Sequence, residues 1–264
     1  MDLPVERWYP AIFKRLSRRT YIAEAPEPDK LDRLGQVCLE FRPFPGVRAQ
    51  LVRKSPEAVF KGLAGRYGRI KGAPMYIAFI GKMDSPDVQE AAGYTGEGII
   101  LEATAMGLAT CWVGGFFRPE GVHSQVDIQA GEIVLSVTPV GYAPEEKDSQ
   151  EKIMSGLVKS RSRKPLAKLA TGEIAAAWMG KALEAARLAP SAQNRQPWRF
   201  RVEKDGVAIA ADRSFSASTI SKRLDCGIAM LHFELGALAA GVRGTWKILP
   251  SPDVAQFVTR PKSY

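Results

Sequence analysis

With 264 residues, 45% of them hydrophobic and 25% charged, the chain has the balance of an ordinary globular protein, large enough for one sizeable domain or two small ones. No run approaches the roughly 18 consecutive apolar residues of a membrane span, the first residues lack a charged-then-apolar leader, and the three cysteines, Cys38, Cys111 and Cys226, are too scattered for a disulfide framework, so a reducing cytoplasm is expected. The formal charge of +9 suits nucleic acid, an acidic membrane face or a phosphorylated cofactor, but no aromatic-interleaved basic strand and no helix-turn-helix pattern accompanies it, which ranks nucleic acid low.

In chain order, the first marked segment is 12–21, which carries Arg15, Ser17, Arg18 and Arg19. On a helix Arg15 shares a face with Arg18 and Arg19, and if the helix ends by Ser17 the hydroxyl turns back toward the same cluster. Taken alone the run reads as a solvated basic surface. Residues 73–80 read as a strand, and 93–108, apolar nearly all round with Ala and Gly among Leu and Ile, read as a buried helix that lets a second backbone approach closely. The turn Trp112-Val113-Gly114-Gly115 follows, and 132–142 read as another strand. A polar, Pro-stopped stretch at 143–152 reads as a linker and sets a boundary near residue 155, dividing the chain into 1–155 and 156–264.

Beyond the linker, Arg161 and Arg163 begin the second part in a basic run that fits an exposed linker as well as a binding site. Residues 178–188 read as a helix, stopped by Pro190. Ser191 and Asn194 then place short hydrogen-bonding side chains on a turn before Trp198 and Phe200 alternate into a strand. Strand 206–211 and an apolar helix at 227–242 complete the pattern, with His232 inside that helix as a packed core residue. Helix and strand are thus expected to alternate. His123 and His232 are the only histidines, neither in metal-ligand spacing, and no nucleophile elbow or phosphate loop is present.

The two apolar helices echo one another. A single shift superposes Gly93 on Gly227, Leu101 on Leu235, Ala103 on Ala237, Ala105 on Ala239, Gly107 on Gly241 and Trp112 on Trp246, an offset of 227 minus 93, or 134 residues. Two such helices could form the central pair of a body with pseudo-two-fold symmetry.

The run Ala189-Pro190-Ser191-Ala192-Gln193-Asn194-Arg195-Gln196-Pro197-Trp198-Arg199-Phe200 resembles the flavin-contacting loop of the nitroreductase family, Ala-Pro-Ser-x-x-Asn-x-Gln-Pro-Trp-x-Phe, and 12–21 are similar to that family's Arg-Arg-Ser-x-Arg opening, with Leu16 in place of a basic residue. Over nearly its full length the chain resembles the Thermotoga-type subgroup, in which the family's homodimer is fused into one chain. The resemblance implies an α+β, three-layer α/β/α fold in two related halves, an FMN cofactor at their seam, and a monomer. It implies an NADH- or NADPH-dependent oxidoreductase that passes hydride through FMN to a small nitroaromatic or quinone acceptor by a ping-pong mechanism. A catalytically silent flavin scaffold that binds a small ligand or partner is the alternative, and nucleic-acid binding is a third reading.

Carried over residue by residue, Arg15, Ser17 and Arg19 would address the phosphate and ribityl chain, joined by Arg161 and Arg163. Pro190, Ser191, Ala192 and Asn194 would lie along the isoalloxazine edge with Gln196 behind them, and Gly114 and Gly115 would present backbone near the flavin N5. The first half carries Phe41 to Arg48 where the Ser-Asn loop would stand, so one complete site and one decayed site are expected. Lid segments are expected around 62–72 and 116–126.

Overall fold

The structure, a computed structural model, describes residues 2–54, 56–60, 69–146, 152, 162–204, 206–215 and 218–260. In the first half the order is α1 (Val5–Lys14), α2 (Pro28–Glu40), β1 (Val47–Val52), α3 (Pro56–Phe60), β2 (Met75–Lys82), α4 (Val88–Ala105), β3 (Ala109–Thr110), α5 (Pro119–His123) and β4 (Glu132–Gly141). The second half runs β5 (Ala170–Thr171), α6 (Ala177–Arg187), β6 (Trp198–Glu203), β7 (Gly206–Ala211), α7 (Lys222–Leu238), β8 (Gly244–Ile248) and β9 (Asp253–Thr259). The expected simple alternation gives way to consecutive strands, because hairpins join β6 to β7 and β8 to β9.

Each half builds its own sheet with the same winding. Strands β1, β2, β4 and β3 lie side by side in antiparallel pairs, and β6, β7, β9 and β8 repeat that order, with β5 added in parallel at the β6 edge. In both halves the long helix connects the second strand of this order to the fourth. The architecture is therefore α+β in two related halves.

Strand β2 shows why the first sheet is a middle layer. Its side chains alternate faces: Met75, Ile77 and Phe79 join the central core beside α4, while Tyr76, Ala78 and Ile80 pack against Val59, Phe60 and Val122 on the other face, under α3 and α5. A strand buried on both sides reads as continuous apolar sequence, and 75–81 are buried throughout.

Helices α4 and α7 cross at the centre, and the echo in the sequence is the record of that crossing. A Cβ on Gly93 would fall 2.0 Å from the Leu224 carbonyl oxygen, and one on Gly227 would fall 2.0 Å from the Glu90 carbonyl oxygen. Since 90 and 224 are also 134 apart, the two contacts are one contact repeated by the pseudo-two-fold. Both helices begin five residues before the echo, at Val88 and Lys222, and end alike. Gly107 and Gly241 take φ of 80° and 77°, and the amides of Leu108 and Val242 return to the carbonyls of Ala103 and Ala237, the Schellman arrangement that a left-handed glycine permits.

Beyond the helix pair, aromatic rings pack together on the first-half side of the crossing. The offset maps Ile228 onto Tyr94, whose ring lies 5.4 Å from Phe44 edge-on and 6.4 Å from Phe41 in a stacked arrangement. The Tyr94 hydroxyl donates to Glu234 at 2.7 Å. All three cysteines are free and buried. Among the described residues no helix is long and apolar enough to cross a membrane.

Candidate functional site

Where α1 ends, the chain becomes extended rather than continuing as helix. Arg15 has φ −58° and ψ 125°, and Ser17 forms a parallel bridge with Thr110 at the edge of the first sheet, with the Arg18 amide donating to the Thr110 carbonyl at 2.9 Å. The helical pairing of Arg15 with Arg18 is thereby overturned, and the period of two that replaces it is more useful. Arg15, Ser17 and Arg19 turn to one side and line a cavity. Leu16 is 41% exposed, and Arg18 donates to the Pro144 carbonyl at 2.7 Å. The Leu16 replacement therefore removes nothing from the cavity.

That cavity, of about 400 Å³, lies on the seam between the halves. Its size is within the usual range for a small-molecule site, roughly 300–1,000 Å³. From the first half come Arg15, Ser17 and Arg19, the turn from Cys111 to Phe116, and Ser136 on β4; from the second come Arg163, the loop from Pro190 to Asn194, the stretch Ser218 to Ile220, and the first turns of α7. Ser17 and Ser191 thus face one cavity from different halves. Gly114 permits that close approach, since a Cβ there would lie 2.5 Å from Ile220 Cδ1 and the Ile220 side chain would have to shift.

The cationic end is built from two arginines, Arg15 buried and Arg163 half-buried. Arg15 is 8% exposed; its Nη1 lies 3.5 Å from Ser17 Oγ and its Nε lies 3.6 Å from Glu97 Oε1 without a hydrogen-bond partner. Arg163 donates to the Leu188 carbonyl and to Asn194 Oδ1, the latter at 3.2 Å. Burial, followed by the repulsion of Arg15 and Arg187, lowers its guanidinium to about 10. Two like charges drawn out of water and toward one another cost free energy that an anion between them would offset.

The loop opposite is held in a backbone shape that side chains normally avoid. Gln193, Asn194 and Gln196 have φ of 56°, 54° and 48°. Non-glycine residues in this region are uncommon, and clusters of them persist where surrounding bonds over-determine the shape. Here Ser191 Oγ accepts the Gln196 amide at 2.9 Å, Gln196 Oε1 accepts the Lys164 amide at 2.8 Å, and Asp225 accepts from the Ala192 amide at 3.0 Å and from Arg195 Nε at 2.6 Å. Gln196 is buried and braces the loop without lining the cavity. Burial is the largest influence on Asp225 and raises its carboxyl to about 6, against the opposing pull of Arg195.

Of the residues expected from sequence, Arg15, Ser17, Arg19, Gly114, Gly115, Arg163, Pro190, Ser191, Ala192 and Asn194 all line this one cavity. Arg161 and most of the 62–72 lid segment lie outside the described residues, as does the boundary near 155. Phe116, from the other expected lid, reaches the cavity with 47% exposure. Asp225, Ser136 and Ile220 are additions. Neither Asp225, one of two acids on α7 with Glu234, nor Ser136, an unpartnered buried hydroxyl on a strand, was marked by the sequence.

A mixed helix-and-sheet body in two related halves, with one polar-ended cavity at the seam, is thus defined by geometry alone. A family model described as "Putative TM nitroreductase" matches residues 7–237. The chain belongs to this nitroreductase family. Among solved structures it is similar to a "putative nitroreductase" from Thermotoga maritima, with a TM-score of 0.66 at 20% identity, covering 97% of this chain and 94% of that one. A "Nitroreductase with bound FMN" from Desulfitobacterium hafniense matches at 19% identity and TM-score 0.45 over 56% of this chain and 92% of its own. An "FMN-dependent Nitroreductase" from Clostridium difficile matches at 24% identity and TM-score 0.43 over 52% and 88%. No curated protein matches the chain.

Proposed function

We propose that the protein is an FMN-dependent oxidoreductase that takes hydride from NADH or NADPH and delivers it to a small acceptor of the nitroaromatic or quinone class. The observation that carries this reading is the meeting of Arg15, buried, and Arg163, half-buried, two cations from different halves, at one end of a cavity whose other walls include Val113, Ile220 and Ile228. An anionic end and a flat apolar body fit such a site, and the guanidinium of Arg15, which lines the cavity, supplies charge for a phosphate group.

In this reading Arg15, Ser17 and Arg163 bind the phosphate, with Arg161 as a further donor, and Arg19 reaches toward the ribityl chain. Pro190, Ser191, Ala192 and Asn194 orient the ring along one edge, held in register by Gln196 and Asp225. Gly114 and Gly115 bring backbone close to the ring, and Phe60, Ile70 and Phe116 exclude water from its exposed face. FMN, when bound, supplies the hydride chemistry that no side chain here offers. One cavity receiving donor and acceptor in turn implies ping-pong kinetics. The halves divide near residue 155, the fused seam makes a monomer sufficient, and the buried free thiols suit the cytoplasm.

The test is identification of the chromophore. Purified protein is expected to be yellow, to release FMN on heating, and to bleach when NADH or NADPH is added without oxygen. A colourless protein that FMN cannot reconstitute would support the silent scaffold instead.

A further inference from the structure

Behind the cavity, Arg15 faces a carboxylate that is engaged elsewhere. Glu97 on α4 is fully buried; its Oε2 accepts Trp112 Nε1 at 2.7 Å, while its Oε1 lies 2.9 Å from His232 Nε2 and 3.6 Å from Arg15 Nε. His232, on α7 of the other half, is also fully buried, and its Nδ1 lies 3.1 Å from the Ala185 carbonyl oxygen. A carbonyl can only accept, so Nδ1 carries a hydrogen. The neutral imidazole then has a bare lone pair at Nε2, and a carboxylate opposite it is an acceptor too. Two acceptors 2.9 Å apart in a dry interior repel; a proton between them makes the contact a strong hydrogen bond.

We infer that His232 and Glu97 hold one shared proton across the seam, so that the pair is neutral overall and the charge of Arg15 is left available to an anion in the cavity. Imidazolium with carboxylate, or imidazole with carboxylic acid, gives the same sum. Without the proton, Glu97 would be a full negative charge 3.6 Å from Arg15 and would largely cancel the guanidinium. The charged groups facing this centre come from several elements: Glu97 from α4, Arg15 from the segment after α1, and Arg163 from the segment before α6, which senses both Arg15 and Glu97. The remaining contacts, the Ala185 carbonyl of α6 and the Trp112 indole, are neutral. His232 does not line the cavity and is a positioning residue that acts through Glu97 on Arg15.

The inference rests on the reading that the cavity takes the FMN phosphate, and comparing FMN with riboflavin separates the two. In His232→Gln the side-chain amide still donates to Glu97 but adds no proton, so Glu97 stays charged against Arg15. FMN affinity is expected to fall by about tenfold or more with riboflavin affinity nearly unchanged. In Glu97→Gln one amide satisfies both Trp112 and the Nε2 lone pair without charge, so the preference for FMN is expected to remain. Loss of that preference in Glu97→Gln but not in His232→Gln would mean that the negative charge of Glu97 is what holds Arg15, and would overturn the inference. So would equal losses for FMN and riboflavin, the mark of a merely structural role.

A second readout needs no flavin. Only two histidines exist, and His123 is exposed, so ¹⁵N-histidine labelling isolates His232. A far-downfield proton correlated with its Nε2, absent from both variants, is expected. An Nε2 without such a proton would refute the shared proton. Wild-type protein that binds riboflavin as tightly as FMN would instead contradict the phosphate reading, and the spectrum would then decide the proton by itself.

Discussion

Asp225 is the residue whose charge state the fold disturbs most legibly within the cavity. Its carboxyl has an ordinary value of 3.8 when unfolded and about 6 when buried in the first turns of α7. The folded value is raised, so between these values the folded chain binds more protons than the unfolded one, and stability through this residue falls as pH rises from about 4 to about 6. A shift of about two units corresponds to about 3 kcal/mol. Urea unfolding of wild type and Asp225→Asn should therefore show the balance moving toward wild type by about 2–3 kcal/mol between about pH 7 and about pH 4. A stability difference that is flat over this range would show that Arg195 and the Ala192 amide fully offset the burial. Pro190, Ser191, Ala192 and Asn194 were legible through the resemblance of their whole run to the nitroreductase flavin loop, since short polar side chains on a Pro-stopped turn taken alone equally suit an ordinary turn. Asp225 was not, because an acid in the first turn of a helix also serves the helix dipole, and the sequence does not distinguish the two uses.

Among elements, the α4–α7 pair carries the fold. Gly93→Ala or Gly227→Ala would press a methyl group against a backbone carbonyl at 2.0 Å, which cannot move aside as a flexible side chain can. Each is expected to cost about 3 kcal/mol or more by forcing the helices apart. Gly107→Ala and Gly241→Ala meet nothing within 4 Å, and their cost is only the strained φ, about 1 kcal/mol. Denaturant midpoints for the four variants would rank the crossing pair well below the capping pair, and equal losses would show that the crossing relaxes. Long apolar helices and uninterrupted strands such as β7 were legible from periodicity and β-branched content. The helical face that would have joined Arg15 to Arg18 and Arg19 does not form, because the helix ends at Lys14 and pairing of Ser17 with Thr110, 93 positions away, decides for an extended chain. Such long-range pairing leaves no local trace.

At the scale of the whole molecule, the pseudo-two-fold is preserved in winding and broken in use. Both halves keep the strand order and the crossing glycines, yet among the described residues the side formed by Arg15 and the Ser191 loop opens into the seam cavity, while Phe41 and Phe44 pack against Tyr94, the counterpart of the cavity residue Ile228. The symmetry was visible in the sequence because packing at the axis demands the same small residues twice. Its breaking was foreshadowed by the aromatic run at Phe41 to Arg48 in place of a Ser-Asn loop. The most direct measurement is a fluorescence titration of FMN into the apoprotein of wild type, Arg15→Ala and Asn194→Ala. One FMN per chain is expected, with affinity about tenfold weaker or worse when either half loses its residue. Two FMN per chain, or full affinity in both variants, would contradict a single nucleotide gripped by two halves.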